Sequence, residues 1–148
     1  MSDIIVKTFD ELTKEEVYEI LKVRFTVFVM EQRCFYHDID DIDYRSIHFM
    51  VKQGKEVMTY ARMFKEDESG VWHVGRVLTQ TRGEGMGALL MERVKEVALE
   101  HGATLLRLEG QARVRGFYEK SGFHVCSDEF DLAGIPHVKM ECPLHSFE

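Results

Sequence analysis

The sequence predicts an α+β fold with a mixed central β-sheet flanked by helices, and three observations carry that prediction. Strand-like runs at 46–52, 55–66 and 71–79 are separated only by short turns, which makes them antiparallel neighbours. A long amphipathic helix at 87–102 then stands between two strands, and a strand–helix–strand crossover sets its strands parallel. Two further strand-like runs close the chain, at 123–130 and 137–144.

The first helix is announced by Thr13 and Glu16, a capping-box pair in "TKEEVYEILKVRFTVFVMEQ" (13–32). Val17, Ile20, Leu21 and the Phe25/Phe28 pair then recur at helical spacing. The segment "CFYHDIDDIDY" (34–44) breaks that pattern and reads as an acidic loop. "QG" at 53–54 is a hairpin turn and "EDESG" at 66–70 a second turn. In the helix at 87–102, Leu90, Val94, Val97 and Ala98 share one face, and Gly102 suits its stop. "ATLLRLEG" (103–110) is a strand, "VRGFYEKSG" (114–122) a short helix, and "DLAGIP" joins the closing strands.

A chain of 148 residues is expected to form one domain, 1–148. Its net charge of −7 argues against a general binder of nucleic acid or membrane surfaces, which needs a basic face. No apolar stretch reaches membrane-spanning length, and "MSDIIVKTFDEL" lacks the signal-peptide pattern, so a cytoplasmic location is expected. Cys34, Cys126 and Cys142 fit neither a zinc site nor a disulfide framework, and no metal is expected. The oligomeric state, a homodimer included, is left open.

The glycine-rich stretch "QTRGEGMGALL" (80–90) follows a strand and opens the long helix. The first turn of a helix has unsatisfied N–H groups and the positive end of the dipole, so glycines there let a phosphate approach. Arg82 adds a charged donor. A tight connection without a ligand is the plain alternative. A Walker loop is excluded because no Gly-Lys-Ser/Thr follows. A dinucleotide fold would use Glu109 on a ribose, but the glycines run G-x-G-x-G and arrive after an antiparallel meander.

Four segments together resemble the GNAT acetyltransferase superfamily, and its ElaA-like branch in particular. They are "VRFTVFVMEQRC" (23–34) followed by "DIDD"; "YARMF" and "VGRV" with "RGEGMG"; "LEGQARVRGFYEKSGF" (108–123); and "AGIPHVKM" (133–140). The resemblance implies a cleft where two parallel strands splay apart and hold acetyl-CoA. Val77 and Leu78 would pair with the pantetheine arm. Arg82, Gly83, Glu84, Gly85, Met86 and Gly87 would carry the pyrophosphate, with Gln111, Phe117 and Tyr118 beside the cofactor. Arg113, Arg115 and Lys120 fall near the expected adenosine 3′-phosphate. The chain departs from the family pattern in one place. Only "LTQT" separates Val77 from Arg82, so alignment from the strand and from the loop gives different pantetheine registers.

Acyl transfer from a thioester to an amine needs a base, an oxyanion donor and an acid for the leaving thiolate. Tyr118 matches the family's tyrosine near the sulfur, and a phenol of pKa about 10 can protonate a thiolate of pKa about 8.5. The oxyanion donor would be a backbone N–H near Val77 or Leu78. His48 and His137 match branch positions facing the acceptor and are the candidate bases. Glu31 and Gln32 would line the same cleft. Asp38, Asp40, Asp41 and Asp43 would either attract a cationic amine or form a solvated face. His73 and His101 carry no motif. The expected function is acetyl-CoA-dependent N-acetylation of a primary amine in a small molecule or peptide, by direct attack in a ternary complex. The alternative is a CoA-binding regulatory protein without turnover.

Overall fold

A computed structural model describes residues 3–80 and 85–145. Its strands are β1 (Ile5–Thr8), β2 (Ile47–Gln53), β3 (Glu56–Lys65), β4 (Val71–Thr79), β5 (Leu105–Gln111), β6 (His124–Val125), β7 (Phe130–Leu132) and β8 (Ile135–Pro143). The helices are α1 (Lys14–Arg24), α2 (Met86–Glu100) and α3 (Arg115–Lys120). The strands form one mixed sheet in the order β1-β2-β3-β4-β5-β8-β6, with β7 on β8. Among the described residues only β4 and β5 are parallel, and α2 is the crossover between them. β1, a strand not expected from the sequence, extends the meander by pairing with β2. None of the described helices is long and apolar enough to cross a membrane.

Alternation along the strands divides the interior in two. Phe49, Ala61, Met63, Trp72, Val74, Leu106 and Leu108 point to one face of the sheet, against Leu90, Met91, Val94, Val97 and Ala98 of α2. Met50, Val57, Tyr60 and Leu78 point to the other, against Ile20 and Val23 of α1. Each fully buried side chain of this size contributes about 1.5–3 kcal/mol.

The cap of α1 forms as the sequence predicts. Thr13 Oγ1 accepts the Glu16 N–H at 3.1 Å, and Glu16 accepts the Thr13 N–H at 2.9 Å. Glu16 also receives Lys7 of β1 and Lys52 of β2, which pins the helix start to the sheet. Burial works against ionisation of Glu16, but these hydrogen bonds and lysine charges outweigh it and hold the carboxyl at about 2. The helix expected to run on to residue 32 changes at Phe25. Phe25–Glu31 is a wider π-helical turn, in which the Gln32 N–H reaches five residues back to Val27 O at 3.0 Å.

Three aspartates of the acidic loop are held by arginines rather than by solvent or a ligand. Asp43 Oδ1 lies 2.6 Å from Arg24 Nη1 and 3.0 Å from Arg62 Nη1. Asp40 Oδ2 meets Arg62 Nη2 at 2.7 Å and Arg76 Nη2 at 3.1 Å. Asp38 meets Arg24 Nε at 3.1 Å and Arg76 Nε at 2.9 Å. Three aspartates thus neutralise three arginines drawn from α1, β3 and β4, and only Asp41 of the acidic run stays exposed. Both sequence readings of this run are corrected for Asp38, Asp40 and Asp43. Burial tends to raise the Asp40 and Asp43 carboxyls, but the arginines prevail and lower both, Asp40 to about 2.

Arg24→Met leaves Asp38 and Asp43 short of a partner and is expected to cost about 3–5 kcal/mol in denaturant unfolding, with the apolar volume kept. The depressed carboxyls set the acid limb. Asp40 and Glu16 contribute fully above the unfolded carboxyl range near pH 4, and their contribution disappears as pH falls through about 2. Midpoints measured across that range should fall steeply, and less steeply in Asp40→Asn.

Candidate active site

β4 and β5 pair at Val71↔Leu105, Trp72↔Leu106 and His73↔Arg107, and then part. The cause lies in β4. Against β3, Gly75 pairs with Arg62 and Leu78 with Tyr60, so β4 spends one residue more than β3 over that interval. This is a β-bulge, and Arg76 within it has a left-handed φ of 53°. The bulge bends β4 away from β5, and the β4–β5 ladder does not continue past His73 along Val74–Leu78. A cleft of about 400 Å³ opens between the strands, lined by Val74–Thr79 and by Leu108–Gln111.

The cleft passes from one face of the sheet to the other, and strand alternation sorts its lining. On the α2 face lie Val77, Leu108, Gly110, Gly87, Phe117 and Tyr118. Two glycines make room there. A Cβ on Gly87 would stand 3.2 Å from the Phe117 ring, and one on Gly110 would stand 2.9 Å from Tyr118 Cε2. Gly85 precedes α2 with a φ of 69°, and Met86 begins the helix. Tyr118 is buried against Phe117 and Phe123, and burial alone raises its phenol above the ordinary range. No described group hydrogen-bonds its hydroxyl, which is not among the buried atoms shut away from solvent.

On the α1 face lie His73, Glu109, Gln111, His137 and Arg76, with Gln32, Cys34 and Tyr36 above them. Gln111 Nε2 donates to Gln32 Oε1 at 2.8 Å, which joins the two walls of the cleft, and Arg113 Nε donates to Gln111 Oε1 at 2.9 Å. His137 Nδ1 lies 2.7 Å from the Ile135 carbonyl. A carbonyl only accepts, so Nδ1 carries the hydrogen and Nε2 keeps a lone pair. Arg76 stacks 4.6 Å over Tyr36 while held by Asp38 and Asp40.

The sequence-predicted residues therefore divide. Val77, Leu78, Gly87, Gln111, Phe117, Tyr118, Gln32 and His137 line one cleft. Gly85 and Met86 stand at the start of α2. Arg82, Gly83 and Glu84 lie outside the described residues. Glu31 is exposed and does not line the cleft. His48 is fully buried, with Nδ1 2.6 Å from Tyr60 Oη and Nε2 3.0 Å from the Asp43 carbonyl. Both its nitrogens are occupied and burial lowers its pKa, so His48 braces the charge network and is not a base for the cleft. The sequence reading set His73 aside as carrying no motif, weighed Glu109 only for an excluded dinucleotide fold, and gave Arg76 no role. The parity of β5 was the available signal, since Glu109 and Gln111 must share a face.

An acyl-transfer family's sequence model, the Acetyltransferase (GNAT) domain, matches residues 8–144. The chain belongs to the GNAT acetyltransferase family. Protein ElaA of Escherichia coli strain K12 is 34% identical over 136 residues, covering 88% of this chain and 89% of ElaA. The ElaA crystal structure superposes with a TM-score of 0.89 over 96% of this chain and 99% of that one, at 31% identity. An acyl-CoA N-acyltransferase from Pseudomonas aeruginosa superposes with a TM-score of 0.87 at 30% identity, over 96% and 99% of the two chains. This GNAT protein is an acyltransferase, and its fold implies a CoA-type substrate.

Gly110→Ala drives a methyl group into Tyr118. Displacing that ring by a fraction of an ångström is expected to cost about 10–100-fold in turnover. Thermal unfolding should shift by only a few degrees, so the two measurements together separate misplacement from misfolding.

Proposed function

We propose that the protein transfers the acetyl group of acetyl-CoA to a primary amine of a small molecule or peptide, by direct attack in a ternary complex, as a single cytoplasmic domain. The observation that carries this reading is the cleft itself. An unpaired strand edge faces apolar lining on one side of the sheet and polar side chains on the other. An amide-bearing pantetheine arm fits such an edge, because it can pair with the free groups of Val77 and Leu78 as a strand would. The Gly85–Met86–Gly87 start of α2 stands at the mouth on the same side, where helix N–H groups attract pyrophosphate. Arg82, Gly83 and Glu84 complete that cradle in this proposal.

Tyr118 is the acid. Its raised pKa keeps the phenol protonated at neutral pH, and its hydroxyl is free to donate to the departing thiolate. Phe117 and Gly87 hold the ring's neighbourhood. A backbone N–H beyond the bulge, near Val77 or Leu78, stabilises the developing oxyanion. The amine enters from the opposite face, where His137 Nε2 is placed to accept a hydrogen bond from it and the Gln32–Gln111 pair closes the wall above.

Thermal shift with acetyl-CoA and NAD, followed by thiol release with a panel of amines, tests the reading. Acetyl-CoA should stabilise the protein and NAD should not. Tyr118→Phe is expected to lose about 10²–10⁴-fold in kcat while keeping its affinity for acetyl-CoA. Stabilisation by CoA with no thiol released from any amine would instead identify a CoA-binding protein without turnover.

A further inference from the structure

His73 occupies the last paired rung before β4 and β5 part, on the face that the amine enters. Its Nδ1 lies 3.3 Å from Glu66 Oε1, and its ring stacks on Phe64 with centroids 5.0 Å apart. Glu66 is held in turn by Arg107 Nη1 at 3.2 Å. A carboxylate only accepts, so the ring hydrogen sits on Nδ1 and Nε2 keeps its lone pair. That edge of the ring is turned along the strand to the bulge, since a Cβ on Gly75 would lie 4.0 Å from Nε2. The absent side chain of Gly75 therefore leaves open the path from His73 to the strand edge beyond the bulge.

Glu109 stands on the same face, two residues past Arg107. It is exposed, and among the described residues its carboxylate takes no hydrogen bond or ion pair. It is also the sole acidic side chain among the described residues lining the cleft. The charged groups facing His73 are Glu66 from the turn, Arg62 from β3, and Arg107 and Glu109 from β5. Burial lowers the imidazole pKa, Glu66 and Glu109 pull it back up, and the net shift is downward, so the ring is neutral at neutral pH. His137 differs, because its Nδ1 rests on the neutral Ile135 carbonyl and not on a carboxylate.

We propose that Glu109 binds the ammonium group of a small cationic amine and that His73, oriented by Glu66, takes its proton. The step rests on the acetyl-transfer reading above. An N–H bond of the ammonium breaks and its proton moves to His73 Nε2. The freed lone pair forms the C–N bond as the thioester C–S bond breaks, and the thiolate takes the Tyr118 proton. The nitrogen's second proton is lost to water and one returns to the Tyr118 phenolate, while His73 releases one proton to solvent, so CoA-SH, the amide and one proton are the products. An acceptor that is already neutral at pH 7, such as an aromatic amine, needs neither residue.

The experiment compares the wild type with His73→Gln, Glu66→Gln and Glu109→Gln. Thiol release is followed from pH 5 to 9 with an alkyl amine and with an aromatic amine, and acetyl-CoA binding is titrated separately. With the alkyl amine, His73→Gln should lose about 10²–10³-fold in kcat together with the acidic limb of the pH profile. Glu66→Gln should move that limb to lower pH, because the imidazolium loses its carboxylate. Glu109→Gln should raise KM about 10-fold, with kcat kept and the salt dependence of KM flattened. All should bind acetyl-CoA as the wild type does. If His73→Gln fails to fold, the limb in Glu66→Gln decides. An unmoved limb, or an unchanged KM in Glu109→Gln, overturns the proposal and leaves the acetyl-transfer reading standing. A wild type that binds acetyl-CoA and acetylates no amine overturns both.

Discussion

One extra residue in β4 sets the functional geometry of this protein. Without the bulge at Arg76, β4 and β5 would continue as a paired parallel ladder, and α2 would pack on a closed sheet. With it, the ladder ends at His73 and Arg107, and the chain converts backbone pairing energy into an open strand edge. A non-glycine residue at a φ of 53° is strained by about 1–3 kcal/mol and persists only where its surroundings enforce it. The enforcing contacts are visible. Asp38 and Asp40 grip the Arg76 side chain while Tyr36 covers its guanidinium.

The grip on Arg76 is one part of a larger balance. Arg24 and Arg62 are buried and share Asp38, Asp40 and Asp43 with Arg76, so three positive and three negative groups cancel beneath the surface. Burying an isolated ion is far more costly than burying a neutral set. Stability alone does not require such a set, since apolar side chains could fill the same space. What the charges add is position. Each arginine belongs to a different element, so the loop that neutralises them fixes α1, β3 and the β4 bulge relative to one another. His48 and Tyr60 extend this scaffold by bonding to each other and to the Asp43 carbonyl.

This explains which features were legible in the sequence. Elements whose signal is local came through: the Thr13–Glu16 cap, the apolar face of α2, the Gly102 stop at a φ of 84°, and the mixed sheet implied by one crossover. Gln111, Tyr118 and His137 reached the cleft because their motifs fix strand or helix ends beside it. The failures share a cause. An aspartate run looks the same whether it faces water or three distant arginines, because the partners lie 14 to 38 positions away. His48 reads as a base because it matches a family position, but the fold brings Tyr60 and the Asp43 carbonyl onto its two nitrogens. β1 was missed although "IVKT" is a fair strand, because a four-residue edge strand owes its existence to the partner β2.

Strand alternation also gives the cleft its chemical order. Residues of even and odd parity on β4 and β5 point to opposite faces, so a group passing between the strands meets different chemistry at each end. The α2 face offers Tyr118, whose phenol burial keeps protonated. The α1 face offers His73, whose imidazole burial keeps neutral even with Glu66 and Glu109 beside it. The same physical cause, loss of water, thus pushes an acid upward and a base downward in pKa. At neutral pH the one still has its proton to give and the other is free to take one. In the proposed reaction the sheet stands between the two, so the base does not face the acid directly. The bulge is what permits this, because a fully paired ladder would leave no passage from one face to the other.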